Sequence, residues 1–158
     1  MEKATFGAGC FWGVEHFFRD VPGVADAVCG YCGGGLDNPT YKEVKTGTTG
    51  HAEVVEVSFD PAAVSYGALV DVFFRWHDPT TLNRQGPDAG TQYRSVIFFH
   101  SPEQERIARD KKAVYAARFP RPIVTAIEPA EKFWRAEDYH QRYFEKNGGP
   151  SCHIPNWE

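Results

Sequence analysis

The stretch Phe6–Phe18, FGAGCFWGVEHFF, joins a strand pattern to a helix pattern through a glycine-flanked cysteine. Residues 3–8 predict a short strand, and apolar residues recur at helical spacing over 11–21. We therefore expect Cys10 to open a helix that the pair Pro22-Gly23 ends. A thiol at a helix start faces unpaired N–H groups and the positive end of the helix dipole, which favours a reactive thiolate. The alternative for any single cysteine is a small buried apolar residue.

Beyond this stretch the sequence alternates between strand and helix patterns. Strand patterns cover residues 24–31, 51–59, 93–100 and 122–128, and helix patterns follow Ser65, follow Ser101 and cover 136–146. The run Ser101–Gln104 predicts a capping box. Residues 78–92 lack periodicity, and so long a loop inside a compact domain is usually functional or disordered. We predict one catalytic α/β (α+β) domain over residues 1–147, a two-layer sandwich of a mixed sheet with helices, followed by a mobile tail over 148–158.

The composition is that of a folded globular chain of 158 residues, with 42% hydrophobic residues and a formal net charge of −4. Lys and Arg do not cluster, so nucleic-acid binding is not expected. No stretch approaches the ~20 apolar residues of a membrane span, and the N-terminus lacks a signal-peptide pattern. We expect a cytoplasmic protein whose four cysteines stay reduced, so these cysteines need a role other than disulfide scaffolding.

The strand pattern over residues 51–59 places one acidic side chain on an apolar face. Glu53 alternates with Val55, Val57 and Phe59, whereas Glu56 lies on the opposite face. Burial disfavours the charged carboxylate, so the pKa of Glu53 should rise and the group could serve as a general acid. The alternative is that this face reaches solvent by residue 53 and the carboxyl group is simply hydrated.

Two other readings of the cysteines and histidines remain open at this point. One is a zinc-stabilised module that binds a partner, whose zinc site could draw on Cys29, Cys32, Cys152 and His153. Against it, Cys29 and Cys32 should face apart on a strand, and adjacent ligands chelate poorly in a tetrahedral site. The other is a cysteine hydrolase that uses Cys10 with a histidine base. The candidate bases are His51, His77 and His140.

Five blocks of sequence together resemble one enzyme family. They are GCFWG at 9–13, GYCGG at 30–34, NPTYKEV with TGHAEVVEVSFDP at 38–61, HDPTTLNRQGPDAGTQYRS at 77–95, and AEDYHQRYF at 136–144. In this order along nearly the whole chain, they resemble the A-type peptide methionine sulfoxide reductases. The resemblance implies a ferredoxin-like plait and no metal or organic cofactor.

The resemblance also implies catalytic roles. Cys10 matches the nucleophile that attacks the sulfoxide sulfur, releases methionine and becomes a sulfenic acid. Phe11 and Trp12 match the pocket that holds the substrate methyl group, which would select the S epimer. Glu53 matches the acid that protonates the sulfoxide oxygen.

Three further residues match groups around that oxygen, although sequence alone suggests ordinary roles for them. Tyr41 and Tyr93 match hydroxyls that hydrogen-bond the oxygen, and Asp88 lies beside them in the motif. A tyrosine near a loop is commonly a packing residue, and Asp88 in GPDAG reads as a turn former.

Regeneration of the enzyme is where the chain departs from the family pattern. Lys45 stands where many relatives have a further cysteine. Cys152 matches the tail cysteine that converts the sulfenic acid into a disulfide, which thioredoxin, or dithiothreitol in the test tube, then reduces. Cys32 is a rival for this role, and Cys29 is a further alternative. The implied substrates are oxidised proteins, peptides and free methionine sulfoxide, and we expect a monomer.

Overall fold

The computed structural model describes residues 1–148 and 153–157. The strands in this part of the chain are β1 (Glu2–Ala8), β2 (Val24–Cys32), β3 (Ala52–Phe59), β4 (Arg84–Gln85), β5 (Asp88–Ala89), β6 (Ser95–Phe99), β7 (Ala126–Pro129) and β8 (Trp134–Arg135). The helices are α1 (Phe11–Arg19), α2 (Tyr41–Lys45), α3 (Tyr66–Arg75), α4 (Pro102–Tyr115) and α5 (Tyr143–Asn147). Short 3₁₀ turns cover Thr91–Tyr93, Ala116–Arg118 and Asp138–His140.

Six of these strands form one mixed sheet in the order β7-β6-β1-β3-β2-β8. Strand β1 pairs antiparallel with β3 and β6, β2 pairs antiparallel with β3, and β6 pairs parallel with β7. Strands β1 and β2 therefore run in the same direction, with β3 between them and α1 connecting them. The unit β3-α3-β6 repeats this arrangement around β1. Two interlocked split βαβ units form a ferredoxin-like plait, so the predicted α/β sandwich is confirmed.

The larger core lies between the helices and one face of the sheet. The ring of Phe6 on β1 stacks on Phe18 of α1 at 4.8 Å and packs against Phe73 of α3 at 5.4 Å. Fully burying one such ring contributes about 1.5–3 kcal/mol. A smaller cluster on the opposite face contains Cys32, Ala52, Val54, Val96 and Phe98. The sheet is thus covered on both faces along parts of β2, β3 and β6.

Helix α1 begins where the glycine-flanked cysteine predicts. The backbone N–H of Val14 donates to the carbonyl of Cys10 at 3.4 Å, so Cys10 is the N-cap residue. Gly9 has φ of +92°, a left-handed conformation that side chains other than glycine rarely adopt. A Cβ atom at Gly9 would also come within 2.7 Å of the side chain of Gln85. The glycine therefore allows both the turn into α1 and the close approach of the long loop.

The two serine-capped helices follow the prediction with one correction. Ser65 accepts from the N–H of Ala68, and Ser101 accepts from the N–H of Gln104. The reciprocal half of the predicted capping box at Ser101 is absent. The side chain of Gln104 instead accepts from the N–H of His100 and donates to the carbonyl of Lys3. A contact with the neighbouring strand β1 has replaced the local one.

The prediction of one helix over residues 136–146 is wrong. The segment forms the 3₁₀ turn Asp138–His140 and then α5, with Arg142 between them at φ of +55°. The N–H of Arg142 donates to both carboxylate oxygens of the buried Glu15 at 2.9 and 3.0 Å. This contact across the fold stabilises a backbone conformation that a helix does not allow.

Helix α2 and parts of the long loop were not predicted. Thr40 and Glu43 form a reciprocal capping box at the start of α2, and the sequence TYKE carries that signal. Strands β6 and β7 are shorter than predicted, and Tyr93 lies in a 3₁₀ turn rather than at a strand start. Loop 78–92 contains the small hairpin formed by β4 and β5.

Residues 153–157 contact the rest of the domain. Among residues 153–157, His153 is buried and Asn156 hydrogen-bonds to the end of α3. The expectation of a mobile tail therefore does not describe these five residues, and Cys152 lies outside the described residues. In the described part of the chain, no helix has the length and hydropathy that crossing a bilayer requires.

Candidate active site

The side chain of Cys10 lies half-buried at the point where β1 ends and α1 begins. It borders a small pocket of about 50 Å³. The residues that line this pocket are Cys10, Gln85, Gly86, Pro87, Asp88 and His153. The loop wall is fixed in place because Gln85 accepts from the N–H of Asp78 at 2.9 Å and donates to its carbonyl at 2.8 Å. The thiol is therefore accessible from a confined space built by the long loop and His153.

Glu53 lies beneath the start of α1, on the sheet face that its alternation with Val55 predicts. It is only 1% exposed, and its Oε1 accepts from the N–H of Phe11 at 3.2 Å. Its Oε2 has no hydrogen-bond partner among the described residues. Burial raises the pKa of Glu53 to about 8 against the opposing hydrogen bond from Phe11, and the charge of Asp88 contributes to this rise. The carboxyl group is thus largely protonated at neutral pH, next to the residue that follows Cys10.

Tyr41 and Tyr93 stand in the electrostatic field of the same groups. Burial raises the pKa of Tyr41 to about 12, and negative charge on Glu53, Cys10 and Asp88 adds to the shift. Burial likewise raises the pKa of Tyr93, with contributions from the same three groups and from Tyr41. Both hydroxyls therefore remain protonated donors at physiological pH. The structure brings all five of these predicted site residues together.

Phe11 and Trp12 differ in their surroundings. Phe11 is fully buried, with its ring 5.0 Å from His140 and 6.4 Å from Tyr41. Trp12 is only partly buried, and it lies parallel to the ring of Tyr143 at 3.7 Å. The indole N–H of Trp12 donates to Nδ1 of His140 at 2.9 Å. The indole is thus held on its face by Tyr143 and at its N–H by His140.

His140 is a site residue that sequence reasoning missed, since it considered this histidine only as a hydrolase base. Its Nδ1 accepts from Trp12, so a neutral ring carries its hydrogen on Nε2, which has no partner among the described residues. Burial lowers the pKa of His140, which favours this neutral form. Glu137, also missed, accepts from the hydroxyl of Tyr31 and from the N–H of Tyr41. Both residues lie within the block at 136–144 that resembles the enzyme family, and this resemblance is the sequence feature that could have identified them.

Cys29 and Cys32 lie on opposite faces of β2, as their spacing predicts. Cys29 belongs to the larger core, where its Sγ approaches the carbonyl of Phe11 at 3.5 Å. Cys32 belongs to the smaller cluster on the other face and contacts the carbonyl of Glu131 at 3.6 Å. These two thiols cannot hold one ion together. Within the described residues no group of three or more Cys, His, Asp or Glu side chains could bind a metal.

The hydrogen bonds of His51 and His77 do not support the hypothesis of a cysteine hydrolase. Both ring nitrogens of His51 are engaged, by the N–H of Gly34 and the carbonyl of Leu36. Those of His77 contact the carbonyl of Phe73 and the hydroxyl of Ser95. Burial lowers the pKa of His77 to about 3, so it stays neutral. These two rings hold loops and strands in place rather than serving a nucleophile.

A plait fold that places an accessible thiol beside a protonated carboxylic acid is typical of a thiol enzyme that transfers a proton as its sulfur reacts. Comparison with known proteins agrees with this class. The chain belongs to the family of peptide methionine sulfoxide reductases, because the family model of that description matches residues 2–157.

Individual relatives agree along nearly the whole length. The chain is 65% identical over 154 residues to the peptide methionine sulfoxide reductase MsrA of Methanoculleus marisnigri, covering 96% of this chain and 94% of the relative. It is similar to the reduced form of Mxr1 from Saccharomyces cerevisiae, with a TM-score of 0.91 at 41% identity, covering 96% and 88% of the two chains. The complex of Mxr1 with Trx2 matches with a TM-score of 0.67 at 28% identity, covering 98% and 88%.

Proposed function

We propose that this chain reduces the S epimer of methionine sulfoxide, in oxidised proteins and peptides and as the free amino acid, with electrons from a thiol reductant. The observation that carries the proposal is the position of Glu53. A buried acid with a raised pKa and one oxygen without a partner among the described residues lies against the backbone N–H next to Cys10. Reduction of a sulfoxide needs this pair, because its oxygen leaves poorly unless it is protonated as the sulfur–sulfur interaction develops.

In the first half-reaction the thiolate of Cys10 attacks the sulfoxide sulfur while Glu53 delivers a proton to the oxygen. The bond between sulfur and oxygen in the substrate breaks, and the oxygen ends on Cys10 as a sulfenic acid. The methionine sulfur gains two electrons, and the Cys10 sulfur loses them. The products are methionine and oxidised enzyme, so no external oxidant or cofactor takes part in this step.

Tyr41 and Tyr93 supply hydrogen bonds to the same oxygen. Their raised pKa values keep both hydroxyls protonated, which suits donors that stabilise developing negative charge. Asp88 acts from the pocket wall, where its charge helps to keep Glu53 protonated. Trp12, which is only partly buried, supplies the apolar surface for the substrate methyl group, and the buried Phe11 supports it through the His140 ring that both contact. This fixed surface would select one epimer at sulfur.

The second half-reaction regenerates Cys10 in two steps, and we assign Cys152 as the resolving thiol. The following residue, His153, is seated in the Cys10 pocket, and neighbouring Cα atoms are ~3.8 Å apart. Cys32, by contrast, is buried on the far face of the sheet, and Cys29 is packed under α1. Peptide mapping of the oxidised enzyme should yield a Cys10–Cys152 disulfide, and a Cys10–Cys32 peptide would overturn the assignment.

Thioredoxin is the proposed physiological reductant of that disulfide. The matched complex of yeast Mxr1 with Trx2 supports this partner, and dithiothreitol should replace it in the test tube. Residues 1–147 would then form the catalytic domain and 148–158 the tail that carries the resolving thiol. We further propose that the enzyme acts as a monomer without a prosthetic group, in a reducing compartment such as the cytoplasm.

The test is turnover driven by dithiothreitol, measured separately on the two sulfoxide epimers. Wild-type enzyme should convert the S epimer to methionine and leave the R epimer unchanged, both as free amino acid and in a short peptide. Equal rates on the two epimers would contradict the methyl-pocket argument. Absence of methionine from either epimer would contradict the proposed reaction.

A further inference from the structure

The last described residues of the chain bind the C-terminal end of α3. The carbonyl groups at a helix end lack partners within the helix. Asn156 supplies three hydrogen bonds there. Its Nδ2 donates to the carbonyls of Phe74 and His77, both at 2.7 Å. Its backbone N–H donates to the carbonyl of Arg75 at 2.6 Å. The amide nitrogen of asparagine carries two hydrogens, and both are used here.

Trp157 extends the same attachment to α4. Its carbonyl accepts from Nε of Arg75 at 3.0 Å. Its ring lies nearly parallel to Tyr115 with the centroids 5.3 Å apart, and the guanidinium of Arg118 stands 4.9 Å from the ring centroid. Asn156 and Trp157 together form what we call the tail anchor.

The residue three positions before the anchor reaches the active site. His153 is buried, and its Nε2 donates to the carbonyl of Ala8 at 2.7 Å. Its ring meets the ring of Phe17 edge-on at 5.3 Å. It also lines the pocket that Cys10 borders. The chain therefore passes from the Cys10 pocket to the end of α3 within three residues.

The segment between these two points contributes little packing of its own. Ile154 is 78% exposed, and Pro155 is also exposed. Three residues span at most ~10 Å, so the anchor restricts where His153 can lie. A tether of this kind raises the effective concentration of any group held near its target.

We propose that Asn156 and Trp157 are positioning residues for the second half-reaction, in which they hold the end of the chain at the Cys10 pocket. This inference rests on the proposed assignment of Cys152 as the resolving thiol. In that step the Cys152 sulfur attacks the Cys10 sulfenic acid, a disulfide forms, and the oxygen leaves as water with the two available protons. The substrate reduction that precedes it needs neither anchor residue.

The experiment is a single turnover of reduced enzyme with excess methionine S-sulfoxide and no reductant. Released methionine reports the first half-reaction, and mass spectrometry of quenched samples reports sulfenic acid and disulfide. In Asn156→Ala and Trp157→Ala the methionine burst should keep its wild-type rate, while disulfide formation slows at least about tenfold and sulfenic acid accumulates. Trp157→Phe should recover most of the rate because it keeps a ring on Tyr115. Ile154→Ala, on the exposed connector, should behave as wild type.

Steady-state turnover should also distinguish the two half-reactions. Turnover with thioredoxin should fall in the anchor variants, whereas turnover with dithiothreitol should not, because a small thiol reduces the sulfenic acid directly. Wild-type rates of disulfide formation in both alanine variants would overturn the anchor inference.

A Cys152→Ser variant separates this inference from the proposed function. If Cys152→Ser itself forms a disulfide at the wild-type rate, the resolving assignment fails. If Cys152→Ser blocks disulfide formation while the anchor variants do not slow it, the assignment holds and only the anchor inference fails.

Discussion

The molecule contains two pairs of a cysteine and a buried glutamate, one at each side of the first turn of α1. Cys10 lies with Glu53 at the N-terminal end, and Cys29 lies under the helix with its Sγ 3.6 Å from Glu15. Glu15 and Glu53 are 2% and 1% exposed, so burial does not distinguish them. The difference lies in the partners of the two carboxyl groups and in the access to the two thiols.

Glu15 is satisfied as a charged group. Its oxygens receive hydrogen bonds from Nε of Arg19 and from the N–H of Arg142. Glu53 receives one backbone N–H and has no cation beside it among the described contacts, so it retains a proton. Burial and the Glu15 charge raise the pKa of Cys29 well above its ordinary value, which keeps that thiol unreactive. One pair is a structural contact, and the other has the properties that the proposed proton transfer requires.

The largest expected effect comes from exchanging the thiols. Cys10→Ser should lose more than about a thousandfold in dithiothreitol-driven reduction of the S epimer, since the hydroxyl is a far weaker nucleophile. Cys29→Ala and Cys32→Ala should stay within about threefold of wild type, because both thiols are buried away from the pocket. An inactive Cys29→Ala protein that remains folded by circular dichroism would show that the second pair also takes part in catalysis.

Replacing each of the two glutamates by glutamine should change the free energy of unfolding in opposite directions. The folded-state pKa of Glu53, about 8 against 4.5 ordinarily, means that the native state binds more protons and loses stability as pH rises between these values. Glu53→Gln should therefore raise the free energy of unfolding relative to wild type by on the order of a few kcal/mol above pH 8, and by little near pH 4.5.

Glu15→Gln is the matched control for that measurement. It removes one of the two carboxylate partners of Arg19 and should lower stability by on the order of a few kcal/mol at neutral pH, while the dithiothreitol-driven rate remains near wild type. Denaturant unfolding at a series of pH values gives both results. A difference between Glu53→Gln and wild type that does not vary with pH would contradict the raised pKa.

A smaller effect on catalysis is expected when the indole of Trp12 is removed. Trp12→Ala should lower kcat/KM for the S epimer roughly 10- to 100-fold, the range expected when an apolar pocket loses one wall. Leu82→Ala is the control and should have no effect, because Leu82 lies in the long loop with its side chain 71% exposed. Steady-state kinetics on both variants would sharpen the distinction between site aromatics and ordinary surface ones.

Local patterns predicted the helix start at Cys10 and the sheet face of Glu53, and the family resemblance implied that the two residues act together. The glycines around Cys10 mark the strand-to-helix turn, and alternation along β3 sets the face of Glu53. The topology adds only that β3 runs beneath the start of α1.

The missed features depend on contacts between distant parts of the chain. His140 meets Trp12 across 128 positions, and Arg142 leaves helical geometry because it bonds Glu15 across 127 positions. The packing of Asn156 on the end of α3 likewise has no local signal. Helix α2 is different, since its capping box at Thr40 was readable in the sequence.

The most direct test of the central claim is the pH dependence of the methionine burst in a single turnover, compared between wild type and Glu53→Gln. In wild type the rate should fall as pH rises through about 8, where Glu53 loses its proton. In Glu53→Gln the burst should be slower by roughly a hundredfold or more at pH 7, and the decline near pH 8 should disappear. A Glu53→Gln enzyme that keeps both the wild-type rate and the decline near pH 8 would contradict the role of Glu53 as the proton donor for Cys10.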